Sequence, residues 1–184
     1  MNEEVEIKVI LKNSDDVISF LNEKAKFVKE KNQKDEYFVP IHKDFFSVNP
    51  TKEYLRVRYE EEKNHFGYHF CHFEDDGSLL KTDEYETKVE NPEIISEILK
   101  KLDMIHKVTI TKHRKFYDYK NFEILIDYIE ELGYFLEIEA KKIDGSIKNT
   151  KEQCYKILEE LGAEWEKAPN MGYPDMLLEK QNRN

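Results

Sequence analysis

The stretch LIDYIEELGYFLEIE, residues 125–139, indicates two β-strands joined by a very short link. Apolar residues recur between charged ones on both sides of the link ELG, near residues 131–133, as in strands with one buried face. A link this short joins antiparallel neighbours, because parallel strands need a crossover of a dozen or more residues. The link YKN, near residues 119–121, predicts another antiparallel pair in the same way. This part of the chain therefore predicts an antiparallel sheet.

Extended to the whole chain, these patterns predict about eight strands and three helices. The strands are expected at residues 3–12, 34–40, 53–61, 65–74, 82–90, 106–119, 122–130 and 133–142. The helices are expected in NSDDVISFLNEKAKFVKEK (13–31), in NPEIISEILKKLD (91–103), capped by Asn91, and in NTKEQCYKILEELG (149–162), capped by Asn149 or Thr150 and stopped by Gly162. These elements favour an α+β fold, and eight antiparallel strands are enough to close a barrel. Since no linker divides the 184 residues, residues 1–184 are expected to form one domain.

The charged residues of the predicted strands lie at alternate positions. EVEIK (4–8), EYETK (84–88) and EIEAK (137–141) share an acid-x-acid-x-base pattern, whereas LRVR (55–58) and TKHRKFY (111–117) carry paired bases. Because successive side chains point to opposite faces of a sheet, each strand has one charged and one apolar face. The charged set comprises the acids Glu4, Glu6, Glu84, Glu86, Asp127, Glu137 and Glu139 and the bases Lys8, Arg56, Arg58, Lys88, Lys112, Arg114 and Lys141. The apolar set comprises Val5, Ile7, Val9, Leu55, Val57, Ile124, Ile126, Leu136, Ile138 and Ala140.

Two interpretations fit this pattern. A solvated sheet face with cross-strand salt bridges explains the mixed signs. Alternatively, a closed sheet turns its apolar face outward under the helices and lines a tunnel with its charges. Acids dominate the first and last strands, and unaccompanied bases dominate the third and sixth, a segregation that suits a metal-bound polyphosphate. Mg²⁺ and Mn²⁺ prefer carboxylate oxygens, while Arg and Lys bind phosphate oxygens.

The composition limits the class of partner. A net charge of −10 argues against a long nucleic acid bound by a basic surface. The two cysteines, Cys71 and Cys154, lack metal-ligand spacing and are expected to be free thiols. No apolar run reaches the length of a membrane span, and the start MNEEVE is unlike a signal peptide. The chain is therefore expected to be cytoplasmic, with no membrane partner.

Six segments occur in an order that resembles the CYTH superfamily, the triphosphate tunnel metalloenzymes. They are EVEIK, DEYF (35–38), LRVR, TKHRKFY, LIDYIEELGYFLEIE and GYPDMLL (172–178), and together they cover nearly the whole chain. The resemblance implies an eight-stranded antiparallel barrel whose tunnel binds a triphosphate together with Mg²⁺ or Mn²⁺. The chain length and the segments EVEIK and GYPDMLL most resemble those of class IV adenylate cyclases. These enzymes convert ATP to cyclic AMP and pyrophosphate.

The resemblance also implies roles for individual residues. The implied metal ligands are Glu4, Glu6, Asp127, Glu137 and Glu139. The implied triphosphate-binding residues are Lys8, Arg56, Arg58, Lys112 and Arg114, of which Lys8, Arg58 and Lys112 are the catalytic candidates. Glu84 and Glu86 match an acidic strand of the family without a defined role. Other matches have an equally good structural explanation: Asp35 as a turn acid, Tyr37 as a packed ring, Lys88 and Lys141 in salt bridges at strand ends, and Tyr173 in docking the C-terminal tail.

One departure from the family affects the expected activity. The fourth strand usually carries a tunnel lysine, but GYHFCHFEDD (67–76) has none, and His69 or His72 takes its place. This departure motivates the hypothesis of a non-catalytic triphosphate-binding module. A triphosphatase acting on inorganic, thiamine or nucleoside triphosphate is the alternative to the cyclase, because the same phosphate contacts serve both reactions. A homodimer is also possible, through an apolar outer patch.

Overall fold

The computed structural model describes residues 5–74 and 79–183. These residues form nine strands: β1 (Val5–Leu11), β2 (Lys26–Pro40), β3 (Glu53–Glu60), β4 (Asn64–Phe73), β5 (Leu79–Val89), β6 (Met104–Tyr119), β7 (Phe122–Ile129), β8 (Gly133–Ala140) and β9 (Trp165–Lys167). Four α-helices accompany them: α1 (Ser14–Lys24), α2 (Pro92–Lys101), α3 (Ile147–Glu160) and α4 (Tyr173–Arg183). A short 3₁₀-helix covers Phe45–Ser47. None of the helices within these residues has the length and apolar character needed to cross a bilayer.

All nine strands belong to one sheet in the order β5-β4-β3-β2-β6-β7-β8-β1-β9. The pairs β6–β7 and β7–β8 are antiparallel, so the predicted hairpins are confirmed. Their turns contain Lys120 (φ 53°), Glu131 (φ 70°) and Gly133 (φ 91°), which are left-handed conformations suited to tight links. The prediction of eight strands and three helices is wrong, because β9 and α4 are additional. The strand order ends at β5 and β9, so a closed barrel is not confirmed.

The chain divides into two compact units, described separately below. The first unit contains residues up to Lys31 and Lys112–Ala168, with β1, α1, β7, β8, α3 and β9. The second contains Asn32–Thr111 and the segment from Pro169 onward, with β3, β4, β5, α2 and α4. Strands β2 and β6 each contribute residues to both units.

The first unit buries the apolar faces of its strands under α1 and α3. Ile7 and Val9 of β1, together with Ile124, Ile126, Leu136 and Ile138 of β7 and β8, form one core with Val17 and Leu21 of α1 and Ile157 and Leu158 of α3. Both Cys71, in the second unit, and Cys154, in this core, are buried free thiols, as predicted. The charged faces of β1, β7 and β8 consequently point away from the helices. The predicted separation of apolar and charged faces is confirmed in this unit.

The second unit has a smaller core. Phe38 of β2 and Val57 of β3 pack with Leu99 of α2, and Leu55, Tyr59, Phe66 and Ile95 lie against them. Helix α4 buries Met176 and Leu177, and its Asp175 accepts hydrogen bonds from Thr51 and from Tyr54 Oη (2.7 Å). Tyr173 is the first residue of this helix, and its role in docking the C-terminal tail stays a prediction.

Two helix limits differ from prediction. Helix α1 ends at Lys24, since Ala25 is already extended, and residues 26–31 belong to β2. The predicted helix to residue 31 is wrong because Phe27 packs edge-on against Tyr117 of β6 (5.5 Å between ring centres). Helix α3 is capped by Ser146, whose Oγ accepts from the backbone N–H of Asn149, rather than by Asn149 or Thr150. The Asn91 cap of α2 and the Gly162 stop of α3 (φ 63°) are confirmed.

Candidate functional site

The charged face of the first unit carries a cluster of five side chains, called here the first cluster. It comprises Lys8, Lys112, Arg114, Asp127 and Glu137, all of them predicted site residues. Strand register brings them together: Lys8 lies opposite Glu137, and Arg114 lies opposite Asp127. Four different strands, β1, β6, β7 and β8, therefore each contribute at least one charge to the same place.

Arg114 is the centre of the first cluster. Its Nε and Nη2 donate to the two carboxylate oxygens of Asp127 (2.6 and 2.5 Å), and Nη2 also donates to Glu137 Oε2 (2.6 Å). Lys8 Nζ lies 3.1 Å from the other Glu137 oxygen, and Lys112 Nζ lies 4.0 Å from Asp127. The bases of β6 are therefore paired rather than unaccompanied, and the cross-strand salt bridges of the first sequence interpretation are present.

Burial makes these pairs strong. Asp127 is fully buried, and Glu137 and Lys112 are nearly so. Burial alone raises the pKa of Glu137, but Lys8, Arg114 and Lys112 outweigh it and lower that pKa to about 2. Counted over the described residues alone, the first cluster holds three basic and two acidic side chains, one more cation than anion. Such a surplus in a poorly solvated place favours binding of an anion.

A row of carboxylates lies next to the first cluster on the same face. Glu6, Glu139, Glu123 and Asp118 occupy matching positions on β1, β8, β7 and β6. Lys141 Nζ reaches Asp118 (2.6 Å), which confirms its expected salt bridge. Carboxylates directly opposite one another on neighbouring strands repel unless a cation is near, and carboxylate oxygens are the donors that Mg²⁺ and Mn²⁺ prefer. Among the described residues, no three of these four side chains bring their oxygens within 4.8 Å of one another. The predicted ligand Glu4 lies outside the described residues.

Sequence reasoning missed two members of this row. Glu123 is four residues before Asp127 and therefore on the same strand face, so its spacing was a usable signal. Asp118 is placed in the row by the register of the β6–β7 hairpin. That register depends on the conformation of the turn at Lys120.

The charged face of the second unit carries a second cluster, formed by Asp35, Arg56, Arg58, His69, Glu84 and Glu86. Arg58 Nε and Nη2 donate to both oxygens of Asp35 (2.7 Å each), and Arg56 Nη1 lies 3.6 Å from the same carboxylate. Arg56 Nη2 donates to Glu86 Oε1 (2.5 Å). Asp35 is thus the buried anchor of the arginines rather than a turn acid.

The environment of the two arginines shifts the pKa values of the neighbouring side chains. Hydrogen bonding to His69 and the nearby Arg56 lower the pKa of Glu86 to about 2, despite partial burial. Burial and the Asp35 carboxylate raise the pKa of Tyr37 to about 12, so this packed tyrosine remains a neutral phenol. Although burial opposes it, Tyr37, Asp35 and Glu86 together raise the pKa of the Arg56 guanidinium. Lys88 lies exposed near the end of β5, opposite His65.

The register of β4 distinguishes the two candidate histidines. His69 lies on the charged face, opposite Glu84, with its Nε2 2.9 Å from Glu86 Oε1. His72 lies on the other face and pairs with Asp83 (2.6 Å). His69, Glu84 and Glu86 each offer one ligand atom. These three atoms lie within 4.8 Å of one another, a grouping that can hold a metal ion.

The chain is similar to proteins of a known family. The CYTH domain family matches residues 2–169. A Methanocaldococcus jannaschii protein named "Putative adenylate cyclase MJ0240" is 35% identical over 159 residues, covering 86% of this chain and 85% of that protein.

Two solved structures are similar over most of the chain. The PH1819 protein of Pyrococcus horikoshii has a TM-score of 0.73 at 27% identity, covering 97% of this chain and 99% of its own. A Hippeastrum protein, described as a "putative adenylyl cyclase" that reveals a dominant triphosphatase activity, has a TM-score of 0.67 at 18% identity, covering 90% and 91%. The match across residues 2–169 and the 35% identical relative establish that this chain belongs to the CYTH family.

Proposed function

We propose that this protein is a metal-dependent enzyme acting on a triphosphate, with the conversion of ATP to cyclic AMP and pyrophosphate as its reaction. The observation that carries the proposal is the first cluster, where three cations share two buried carboxylates beside a row of four more carboxylates. Membership of the CYTH family and a relative named as an adenylate cyclase support it. A closed sheet that encloses a tunnel and a single domain over residues 1–184 remain predictions within this proposal.

The basic residues bind the phosphates in this proposal. Lys8 and Lys112 donate to phosphate oxygens, and Arg114, held by Asp127, presents its remaining N–H groups in a fixed orientation. In the second unit, Arg58 is held in the same way by Asp35 and acts together with Arg56. Lys8, Arg58 and Lys112 are the proposed catalytic residues, because they stabilise charge that develops on the phosphate oxygens during transfer.

The carboxylate row would hold the metal. Glu6 and Glu139 are directly opposite each other and offer the oxygen donors that Mg²⁺ or Mn²⁺ prefers. Asp127 and Glu137 would first have to release Arg114, so they are the less direct ligands. When bound, the metal supplies neutralisation of phosphate charge and activation of the nucleophile.

Triphosphate hydrolysis is the alternative, because the same phosphate contacts serve either reaction. A ribose 3′-hydroxyl attacking the α-phosphorus gives cyclic AMP, whereas water attacking the terminal phosphorus gives phosphate. The Hippeastrum protein, called a cyclase yet dominated by triphosphatase activity, favours keeping this alternative. The third hypothesis, binding without turnover, is motivated by His69 in place of the family lysine.

Product analysis separates the three hypotheses. The protein is incubated with ATP, thiamine triphosphate or tripolyphosphate and with Mg²⁺, Mn²⁺ or EDTA, and the products are resolved by chromatography. Cyclic AMP with pyrophosphate supports the proposal, and phosphate release supports the triphosphatase. Binding without product supports the binding module, while neither binding nor turnover of any triphosphate contradicts all three.

A further inference from the structure

We propose that His69, Glu84 and Glu86 form a second metal site that is selective for divalent transition metals over Mg²⁺. The site lies on β4 and β5 in the second unit and is built from other residues than the carboxylate row. Its three candidate ligand atoms lie within 4.8 Å of one another. The His69 side chain is only 13% exposed, so the ring has few orientations available.

Strand register and one glycine bring the three side chains together. His69 lies opposite Glu84, and Glu86 lies opposite Gly67, the residue two positions before His69 on the same face. A Cβ at position 67 would lie 2.8 Å from Glu86 Cγ and 3.3 Å from His69 Nε2, which is too close for the first contact. The missing side chain of Gly67 therefore provides the space in which Glu86 and His69 meet.

The two ring nitrogens of His69 differ in their distances to the carboxylates. Nε2 lies at a hydrogen-bond distance of 2.9 Å from Glu86 Oε1, with Arg56 Nη2 3.4 Å from the same nitrogen. His69 Nδ1 lies 3.6 Å from Glu84 Oε1, which is too long for a good hydrogen bond. Two ligand atoms at tetrahedral angles on one ion, each with a bond of about 2.1 Å, are separated by about 3.4 Å. Where Nε2–H donates to Glu86, Nδ1 can act as a metal ligand on the side of the ring that faces Glu84. An ion between Nδ1 and Glu84 satisfies both groups.

The donor set determines which metal is favoured. One imidazole nitrogen and two carboxylate oxygens suit Zn²⁺, Co²⁺ or Mn²⁺, whereas Mg²⁺ prefers oxygen ligands and keeps its waters. Arg56 Nη2 lies 2.5 Å from Glu86 Oε1 and opposes a cation there. The carboxylates of Glu86 and Asp35 (3.6 Å from Arg56) together offset the positive charge of Arg56. The second carboxylate oxygen of Glu86 is the one offered to a metal ion.

The test uses Co²⁺, whose visible absorbance reports its ligands, added to untagged protein in a large excess of Mg²⁺ that fills sites made only of oxygen donors. Wild type is compared with His69→Gln and Glu84→Gln. His72→Gln serves as the matched control, because it removes an imidazole from the other face of the same strand. Circular dichroism checks that each variant folds, and the exposed Glu84 provides a ligand variant that leaves the interior unchanged.

We expect wild type and His72→Gln to retain one Co²⁺ in the presence of Mg²⁺. His69→Gln and Glu84→Gln should each weaken Co²⁺ binding about 10- to 100-fold. Equal binding by all four proteins would overturn the site, and so would the absence of Co²⁺ binding that survives excess Mg²⁺. Neither result depends on turnover, so the assay is independent of the proposed enzymatic function.

Discussion

The two clusters are built around the same kind of aspartate–arginine pair but differ in their balance of charge. In each, a buried aspartate holds an arginine through two hydrogen bonds: Asp127 holds Arg114 in the first, and Asp35 holds Arg58 in the second. The first cluster adds Lys8 and Lys112 and has a surplus of cations. The second adds Glu84, Glu86 and His69, so its arginines are matched by carboxylates.

This difference in charge balance indicates an additional ligand for the second cluster. A surplus of cations around Arg114 is suited to binding phosphate, whereas the carboxylates and imidazole near Arg56 add donors for a metal. The expectation that acids and bases occupy separate walls is therefore replaced by two mixed clusters. In both, acids orient the bases.

The largest expected effect concerns turnover. Glu6→Ala removes a proposed metal ligand next to the first cluster, and Arg58→Ala removes the anchored cation of the second. Each should lower turnover of the triphosphate at least about 100-fold with the fold intact, because such groups stabilise the transferring phosphoryl charge. Product formation and circular dichroism measure the two quantities. Wild-type rates in both variants would contradict the assignment, and Lys120→Ala, which removes an exposed ion pair with Glu160, is the control.

The next effect concerns stability. Asp127 is fully buried, and Asp127→Ala leaves Arg114 without its main partner. We therefore expect the free energy of unfolding to fall by about 3–5 kcal/mol. Asp118→Ala removes a more exposed pair with Lys141 and should cost less than about 1 kcal/mol. Urea unfolding monitored by circular dichroism measures both. Equal losses for the two variants would show that the burial of the first cluster is not what makes it strong.

The pH dependence of stability should also differ between the clusters. Glu137 has a pKa of about 2 in the folded chain and about 4.3 when unfolded, so its contribution is fully present above about pH 4.3 and is lost as the pH falls toward 2. Glu137→Gln should therefore lower the free energy of unfolding by roughly 3 kcal/mol at neutral pH. This difference between wild type and variant should shrink as the pH falls from about 5 to about 2.

Glu86→Gln is the comparison for Glu137→Gln. Glu86 also has a pKa of about 2, but its side chain is 30% exposed and solvent screens its ion pair. Its effect on the free energy of unfolding should be clearly smaller, over the same pH range. A larger effect for Glu86 than for Glu137 would reverse the ranking of the two clusters.

A further effect on stability concerns Gly67. Gly67→Ala places a Cβ 2.8 Å from Glu86 Cγ, and because Glu86 can shift, we expect a loss of about 1–3 kcal/mol in the free energy of unfolding. Thermal or urea unfolding measures it. Gly133→Ala is an informative contrast, since no atom lies within 4 Å of its added Cβ and only the φ of 91° is unfavourable. An unchanged stability in Gly67→Ala would mean that the close approach of Glu86 is not required.

The alternating pattern of the sequence was enough to predict the antiparallel strands, the apolar faces under the helices and five members of the first cluster. Period-two alternation specifies a strand face, and a short link specifies an antiparallel neighbour. The role of Asp35 was not predictable in this way, because an acid in the segment DEYF fits a turn equally well. Its partner Arg58 lies on another strand, and only the register of β2 and β3 brings them together.

The strand conformation of residues 26–31 could not be predicted from the sequence for a different reason. AKFVKEK continues the helical spacing of α1, and its extended conformation depends on the contact of Phe27 with a ring on β6. Similarly, β9 and α4 carry weak local signals, and α4 is held by Asp175, which accepts from Tyr54 on β3. Tertiary contacts, rather than local preference, decide these elements.

The most direct test of the central claim is calorimetric titration of tripolyphosphate into wild type, Lys112→Ala and Lys120→Ala. Lys112 belongs to the first cluster and is nearly buried, whereas Lys120 is exposed and pairs with Glu160. We expect wild type and Lys120→Ala to bind tripolyphosphate equally. Lys112→Ala should bind it at least about 10-fold more weakly, as expected for the loss of one charge-assisted hydrogen bond. Equal affinity in all three proteins, or no binding to wild type, would contradict the claim that the first cluster binds a triphosphate.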